Sequence, residues 1–346
     1  MAEFTPSLAS LSIGSLPYTN PEQACRLVLE YCPEAPAWPQ LPKRAFDEDI
    51  YVQFSGGFPG LVREAQRIYV DTSRDLGPAL EQLYIAYLTH GVEGAAIGPQ
   101  DVAGLKALAR LLQEGRHRPQ LVKGQVTGPI SWGLMVTDQE GRPILHDETL
   151  ADAVAKHLYL KAAWQERELR KLAPKTLVLL DEPHLSSLGL GFAPLGRERV
   201  LTLLVDVLAG IEGFKGMHCC GDVDWSLPLE APIDILSLDA YDFGDRLLEY
   251  AGPLRAFLKR GGWIAWGIVP ARTEVRRHSV DTLMPRLAEL VQTLAREAEV
   301  PFRELLRASF VTPTCGLGEL DIATAVRAMH LTAELSAAMR ARYLES

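Results

Sequence analysis

The chain has 346 residues, of which 47% are hydrophobic and 23% are charged, a composition typical of a globular protein with a large core. Its formal net charge of −9 argues against nucleic acid as a partner, because binding to nucleic acid requires a basic face. We see neither a signal peptide nor an apolar run of the about 20 residues that a membrane span needs, so we expect a cytoplasmic protein without a membrane partner.

Short apolar runs alternate with longer amphipathic stretches. The predicted strands are 11–15, 49–56 or 94–98, 120–126, 176–181, 216–220, 234–239, 263–269 and 309–315. Helical periodicity covers 147–172, 196–211, 244–261, 280–300 and 321–344. Apolar strands separated by helices indicate a parallel sheet covered by helices, and this number of units predicts a single-domain (β/α)8 TIM barrel over residues 1–346. A doubly wound sheet is the alternative, although it lacks the support of a GxGxxG or P-loop motif.

Two stretches depart from this alternation. Residues 32–49 are rich in proline and predict a long ordered loop. Residues 134–146 predict a β-hairpin around Asp138 and Gly141, inserted after the third barrel strand. We expect this hairpin to be a surface for a partner protein, a lid or a simple insertion.

Three neighbouring residues, His218, Cys219 and Cys220, offer ligand groups for a soft metal ion. Side chains alternate between the faces of a strand, so His218 and Cys220 should point together, and Cys219 should point away. Cys315 ends a later strand, and it is the expected third ligand because the carboxyl ends of barrel strands meet on one face. Asp239 could add a carboxylate. Two thiols, one imidazole and an open position are typical of catalytic zinc, whereas ordinary buried side chains are the alternative.

Further polar residues end predicted strands on the same face. Asp181 and Glu182 follow an apolar strand, where an isolated carboxylate is costly unless it meets a cation such as an ammonium group. The backbone N–H groups and hydroxyl of Gly14 and Ser15 could receive a carboxylate. Lys123, in the predicted strand 120–126, is expected to be exposed.

The order of several motifs resembles that of a known enzyme family. The chain is similar, from about residue 11 to residue 320, to the catalytic barrel of cobalamin-independent methionine synthase, whose superfamily includes uroporphyrinogen decarboxylase and corrinoid-linked thiol methyltransferases. The motifs that carry the resemblance are IGSLPYT, KGQVTGPISW, LLDEP, HCCGD, ILSLD and TPTCGLG. The His-x-Cys pair and TPTCGLG are the most specific of them.

The resemblance implies a catalytic zinc site made by His218, Cys220 and Cys315, with Asp239 where the family has a glutamate. In such a site Zn²⁺ binds the thiol of homocysteine and lowers its pKa, so that the thiolate takes up a methyl group and methionine forms.

The family's substrate contacts carry over to four positions. The resemblance implies that Asp181 binds the ammonium group of homocysteine and that Gly14 and Ser15 bind its carboxylate. Glu93, displaced by one position from the family's pattern, is the expected second contact to the ammonium group.

The methyl donor is expected to differ from that of the folate-dependent enzyme. This chain has one barrel, and its segment GIVPARTEVRRHS departs from the family's folate segment. Short single-barrel relatives resemble it more closely, which implies methylcobalamin as the donor, bound to a corrinoid partner protein that could dock at the 134–146 hairpin. The alternatives are a methyltransferase for another small thiol, a uroporphyrinogen decarboxylase-like lyase and a zinc-stabilised binding protein.

Overall fold

The computed structural model describes residues 4–115, 117–190 and 195–345. Its strands are β1 Ala9–Ser10, β2 Leu61–Glu64, β3 Arg67–Val70, β4 Leu121–Thr127, β5 Thr137–Asp138, β6 Lys175–Asp181, β7 Phe214–Cys219, β8 Ile235–Asp239, β9 Trp263–Val269 and β10 Ser309–Pro313. Its α-helices are α1 Pro21–Tyr31, α2 Gly77–Leu88, α3 Ala103–Glu114, α4 Pro129–Met135, α5 Glu148–Leu169, α6 Arg197–Leu208, α7 Ser226–Glu230, α8 Ala251–Lys259, α9 Val280–Glu297, α10 Phe302–Arg307 and α11 Ile322–Tyr343. Within these residues no helix combines the length and the apolarity needed to cross a membrane.

Seven parallel strands form one curled sheet in the order β1-β10-β9-β8-β7-β6-β4. The predicted α/β class, with helices between parallel strands, is therefore confirmed, and the curled sheet agrees with a TIM-like barrel. The long helices begin where the sequence supplies a cap: the carboxylate of Asp147 accepts the N–H of Leu150 at α5, and that of Asp321 accepts the N–H of Thr324 at α11.

Residues 36–40 occupy the gap between the two edges of this sheet. On one side the N–H of Trp38 donates to the carbonyl of Lys123, and the N–H of Lys123 donates to the carbonyl of Pro36. On the other side the N–H of Gln40 donates to the carbonyl of Gly14. This segment lies in the proline-rich stretch that was expected to be a loop. Proline has no N–H to donate, so the segment bridges both edges without forming a regular strand.

Two expected elements are absent from their predicted places. Residues 49–56 form turns, and residues 94–98 begin inside the 3-10 helix Val92–Ala95 and continue without strand structure, so neither range is a barrel strand. The hairpin expected at 134–146 is not confirmed: the segment begins in α4, and its strand β5 joins β3 in a small sheet with β2. The antiparallel pair in that sheet is β2–β3, which the sequence analysis missed.

The core is divided between the inside and the outside of the barrel. Outward residues of the sheet, such as Val122, Leu180 and Met217, pack in the large core beneath the helices. Inward residues near the amino ends of the strands, such as Leu177 and Phe310, form a smaller apolar core. Polar side chains occupy inward positions nearer the carboxyl ends, so the fold places its chemistry at that end.

Candidate metal and substrate site

His218, Cys220 and Cys315 come together at the carboxyl ends of β7 and β10. One ligand atom from each, an imidazole nitrogen or a thiol sulfur, lies within 4.8 Å of the other two. His218 is the fifth residue of β7, Cys220 follows the end of that strand, and Cys315 follows β10 by two residues. Strand alternation and convergence of the strand ends thus bring these three side chains together.

The His218 ring is held from one side only. Its Nδ1 lies 2.9 Å from the hydroxyl of Ser237 on the neighbouring strand β8, whereas its buried Nε2 has no hydrogen-bond partner among the residues that the structure describes. A buried polar atom without a partner costs free energy, so Nε2 marks a place where a ligand or a metal ion would be stabilising.

The two thiols influence each other's ionisation. Hydrogen bonding with Cys220 and the nearness of His218 lower the pKa of Cys315 well below that of an ordinary thiol, although burial opposes this change. The same thiol–thiol contact, together with burial, raises the pKa of Cys220, because its ionisation would place two thiolates side by side. A cation between the sulfurs would remove that repulsion.

Cys219 faces the opposite way from its two neighbours. It is fully buried and packs in the core beneath the helices, and burial raises its pKa. It does not belong to the cluster of ligand atoms.

Asp181 and Lys123 are two buried, oppositely charged residues of the barrel interior. Asp181 ends β6 beside His218, and within the described part of the chain its Oδ1 has no hydrogen-bond partner. Burial raises its pKa to about 6. Lys123 is fully buried, contrary to expectation: its ammonium group donates to the carbonyl of Ile13 and, over 3.2 Å, to Oε1 of Gln125. Burial lowers the pKa of Lys123 to about 8, and attraction to Asp181 acts in the opposite direction.

Glu182, unlike the adjacent Asp181, binds the first turn of helix α4. Its carboxylate accepts the N–H of Ile130 at 3.0 Å and both the N–H, at 2.8 Å, and the hydroxyl, at 2.6 Å, of Ser131 at the start of α4. A Cβ on Gly128 would lie 2.1 Å from Oε1 of Glu182, so the glycine is needed for this contact. Of the two carboxylates in the LLDEP motif, only Asp181 is left to meet a ligand.

A cavity of about 230 Å³ lies over these groups. The residues that line it include Ser15, Tyr51, Asp181, His218, Cys220 and Cys315.

Ser15 fixes the loop that carries Cys315. Its carbonyl accepts the N–H of Leu317 at 2.9 Å, and its hydroxyl oxygen accepts the N–H of Gly318 at 3.2 Å. A Cβ on Gly316 would lie 2.2 Å from that hydroxyl oxygen. Gly14 is also closely packed, since a Cβ there would lie 2.9 Å from the Gln125 amide. The GS and CGLG motifs are therefore parts of one packed contact beside the cavity.

Two of the proposed site residues lie apart from the cluster. Asp239 ends β8, where its Oδ1 accepts the N–H of Asp242 at 2.8 Å and burial raises its pKa to about 6, but it neither joins the three ligand atoms nor lines the cavity. Glu93 is 79% exposed and pairs with Arg167 at 2.6 Å. It does not line the cavity either.

Two residues of the site were missed in the sequence. Ser237 occupies an inward position of β8, two residues before Asp239, so strand alternation could have placed it beside His218. Tyr51 lines the cavity from the turns after 49, and burial raises the pKa of its phenol. Its place depends on the path of a segment that was expected to be a strand, so no local pattern indicates it.

No protein-family model and no curated protein sequence matches this chain. Its fold is similar to that of a B12-independent methionine synthase from Shewanella sp. W3-18-1 in complex with selenomethionine, with a TM-score of 0.57, 14% identity and coverage of 98% of this chain and 100% of the other. It is also similar to a methyltransferase from Methanosarcina mazei, with a TM-score of 0.53, 12% identity and coverage of 94% and 93%. At these identities the likeness establishes the fold, and at that level it confirms the resemblance drawn from the motifs.

Proposed function

We propose that this protein is a zinc-dependent methyltransferase that methylates the thiol of homocysteine to give methionine. One observation carries the proposal: two buried polar atoms without partners, Nε2 of His218 and Oδ1 of Asp181, belong to the same small cavity as the thiols of Cys220 and Cys315. Two solved structures of similar fold are described as a methionine synthase and a methyltransferase, which agrees with this proposal.

The chemistry of the donor set fits zinc. One unpartnered imidazole nitrogen and two thiols within 4.8 Å of one another are the soft ligands that Zn²⁺ prefers, and three protein ligands leave one position for a substrate. His218, Cys220 and Cys315 would hold the ion. When bound, Zn²⁺ supplies the positive charge that makes a substrate thiolate available at neutral pH. We do not include Asp239 in this set, because it stands outside the cluster.

The protein's own side chains orient the substrate. The Nδ1–H of His218 would donate to Ser237, which leaves the lone pair of Nε2 directed away from that contact. The carboxylate of Asp181 would accept the substrate ammonium, and the hydroxyl hydrogen of Ser15 remains free to donate to the substrate carboxylate. The thiolate sulfur then attacks the methyl carbon of the donor, so a carbon–sulfur bond forms while the donor leaves with the electrons of its bond to the methyl group.

The lining of the cavity argues against a uroporphyrinogen decarboxylase-like reaction. A substrate with several carboxylates needs several cations, but none of the described residues that line the cavity is an arginine or a lysine. Three acidic residues do line it, namely Asp49, Asp181 and Glu319. This charge suits a substrate with an ammonium group.

Metal content tests the donor set. Purified wild-type protein should contain about one zinc per chain, and Cys220→Ser and Cys315→Ser should each lose it. Cys219→Ser is the matched control, because it removes the adjacent thiol, which lies in the core away from the cluster. Zinc that is retained in both ligand variants, or lost equally in the control, would contradict the proposed site.

Methyl transfer tests the reaction. Formation of methionine from homocysteine is measured with methylcobalamin, free or bound to a corrinoid protein, and separately with methyltetrahydrofolate. The motif resemblance implies the corrinoid donor, whereas a neighbour in the fold comparison is described as B12-independent, so the two donors are tested in parallel. If zinc-loaded protein forms no methionine from any of these donors, the proposed reaction is wrong.

A further inference from the structure

A second cavity, of about 210 Å³, lies outside the barrel and away from the site described above. It is lined by α2, the 3-10 helix Val92–Ala95, α5 and the glycine turn at Gly56 and Gly57. Two residues of α5 one turn apart, His157 and Lys161, line it. Its volume suits a small molecule and is too small for a polymer segment.

Lys161 brings a charge into this cavity without an ion-pair partner. Only 3% of the residue's surface is exposed, and its ammonium group donates to the carbonyl of Ala95 at 3.1 Å. Among the described residues no carboxylate lies within 4 Å of that ammonium, although Asp101 attracts it from farther away. Lys156, on the same helix, instead pairs with Asp206 at 2.6 Å.

A buried ammonium with unused donors is costly, because it gives up hydration for a single neutral acceptor. Burial accordingly lowers the pKa of Lys161 to about 8. His157 adds no compensating charge: its Nε2 lies 2.7 Å from the carbonyl of Phe54, and burial lowers its pKa to about 3, so the ring is neutral. None of the described residues that line the cavity is acidic.

We propose that this cavity binds a small oxyanion, a carboxylate or a phosphate, with the Lys161 ammonium as its counter-charge. The anion's oxygens would accept hydrogen bonds from the N–H groups of Lys161 that have no other acceptor. Charge-assisted hydrogen bonds of this kind are stronger than those between neutral groups. The lining also distinguishes this cavity from the candidate active site, whose walls carry carboxylates. The inference therefore stands independently of the proposed methyl transfer.

The test compares thermal unfolding of the full chain in sodium phosphate, in sodium acetate and in sodium chloride of equal ionic strength. Wild type should show a saturable rise in Tm with phosphate, acetate or both, beyond that in chloride, and the stronger of the two identifies the class of anion. Lys161→Met should bind that anion at least about tenfold more weakly, since a hydrogen bond to a charged group is lost. Lys156→Met, with the same change of charge on the same helix, should keep the wild-type response.

A second measurement needs no variant. Lysines of the wild-type protein are acetylated with acetic anhydride, and the extent at each site is followed by mass spectrometry with and without phosphate. Phosphate should slow modification of Lys161 several-fold and leave that of the exposed Lys171 unchanged. Equal stabilisation of wild type and Lys161→Met, no stabilisation of wild type beyond chloride, or an unchanged rate at Lys161 despite stabilisation by phosphate would overturn the proposal.

Discussion

Asp181→Asn is expected to stabilise the substrate-free, metal-free protein while it impairs binding of the substrate. The wild-type carboxylate is buried and its Oδ1 lacks a partner, and burial raises its pKa from the ordinary value of 3.8 to about 6. Ionisation of this group is therefore harder in the folded chain than in the unfolded one. Asparagine resembles the protonated acid in shape and charge, so it removes that penalty.

The magnitude follows from the two pKa values. At about 1.36 kcal/mol per pKa unit, the difference corresponds to a gain of about 3 kcal/mol in the free energy of unfolding above pH 6. The sign is fixed by proton binding: between pH 4 and pH 6 the folded state holds a proton that the unfolded state has lost, so the wild type loses stability as pH rises through this window. The gain from asparagine should vanish below about pH 4.

Urea unfolding of chelator-treated protein at pH 4, 5, 6 and 7.5 measures this difference. Asp138→Asn is the control, and its change in the free energy of unfolding should have the opposite sign. Asp138 is also buried, but its carboxylate accepts from the Arg142 guanidinium at 2.8 Å and from two backbone N–H groups, which together lower its pKa against the effect of burial. That variant should lose stability at neutral pH.

The assay with substrate completes the test. The KM for homocysteine should rise about 10- to 100-fold in Asp181→Asn, because a charge-assisted hydrogen bond is removed, while zinc content stays unchanged. A variant that is no more stable than wild type at pH 7.5, yet binds substrate normally, would refute the assignment of Asp181 as an uncompensated ligand-binding carboxylate.

Two further predictions concern the supports of the site. Ser237→Ala removes the hydroxyl that holds the His218 ring and should weaken zinc affinity about 10- to 100-fold in competition with a chromophoric chelator; an unchanged affinity would mean that other contacts orient the ring. Gly128→Ala places a carbon 2.1 Å from Oε1 of Glu182 and should lower the free energy of unfolding by about 1–3 kcal/mol, whereas Gly56→Ala, with no atom within 4 Å of the new carbon, should be nearly neutral. Equal losses in these two glycine variants would contradict the packing argument.

The sequence predicts most of the barrel strands to within a residue or two. The strands β4, β6, β8 and β9 lie within one residue of their predicted ranges, and in the last three a continuous apolar run of that length has few other uses. The segment that fills the gap between the two edges of the sheet could not be found in this way. Residues 36–40 contain Pro36 and Pro39, whose missing N–H groups erase the strand pattern. The place of the segment depends on hydrogen bonds to Lys123 of β4 and to Gly14, which follows β1.

In the candidate site, too, the residues positioned by local geometry were predicted and those positioned by contacts far away in the sequence were not. Alternation along β7 separates His218 and Cys220 from Cys219, so local geometry sufficed for that prediction. The burial of Lys123 was not predictable, because its acceptor is the carbonyl of Ile13, 110 residues away in the sequence. Glu93 was assigned to the substrate site from a motif that is displaced by one position. Its side chain instead pairs with Arg167 on the outer helix, so a displaced motif does not indicate which way a side chain points.

The charges inside the barrel bear on which thiol suits the proposed reaction. Lys123 and Asp181 attract each other within a buried interior, and each makes the charged form of the other less costly. A thiol that carries only an ammonium group would bring a second cation to the carboxylate that Lys123 already attracts. A thiol that carries only a sulfonate would leave Asp181 without a partner and meet the acidic wall of the cavity. A zwitterion supplies an ammonium for Asp181 and a carboxylate that offsets the added positive charge, so on the proposed function homocysteine fits this interior better than either singly charged thiol.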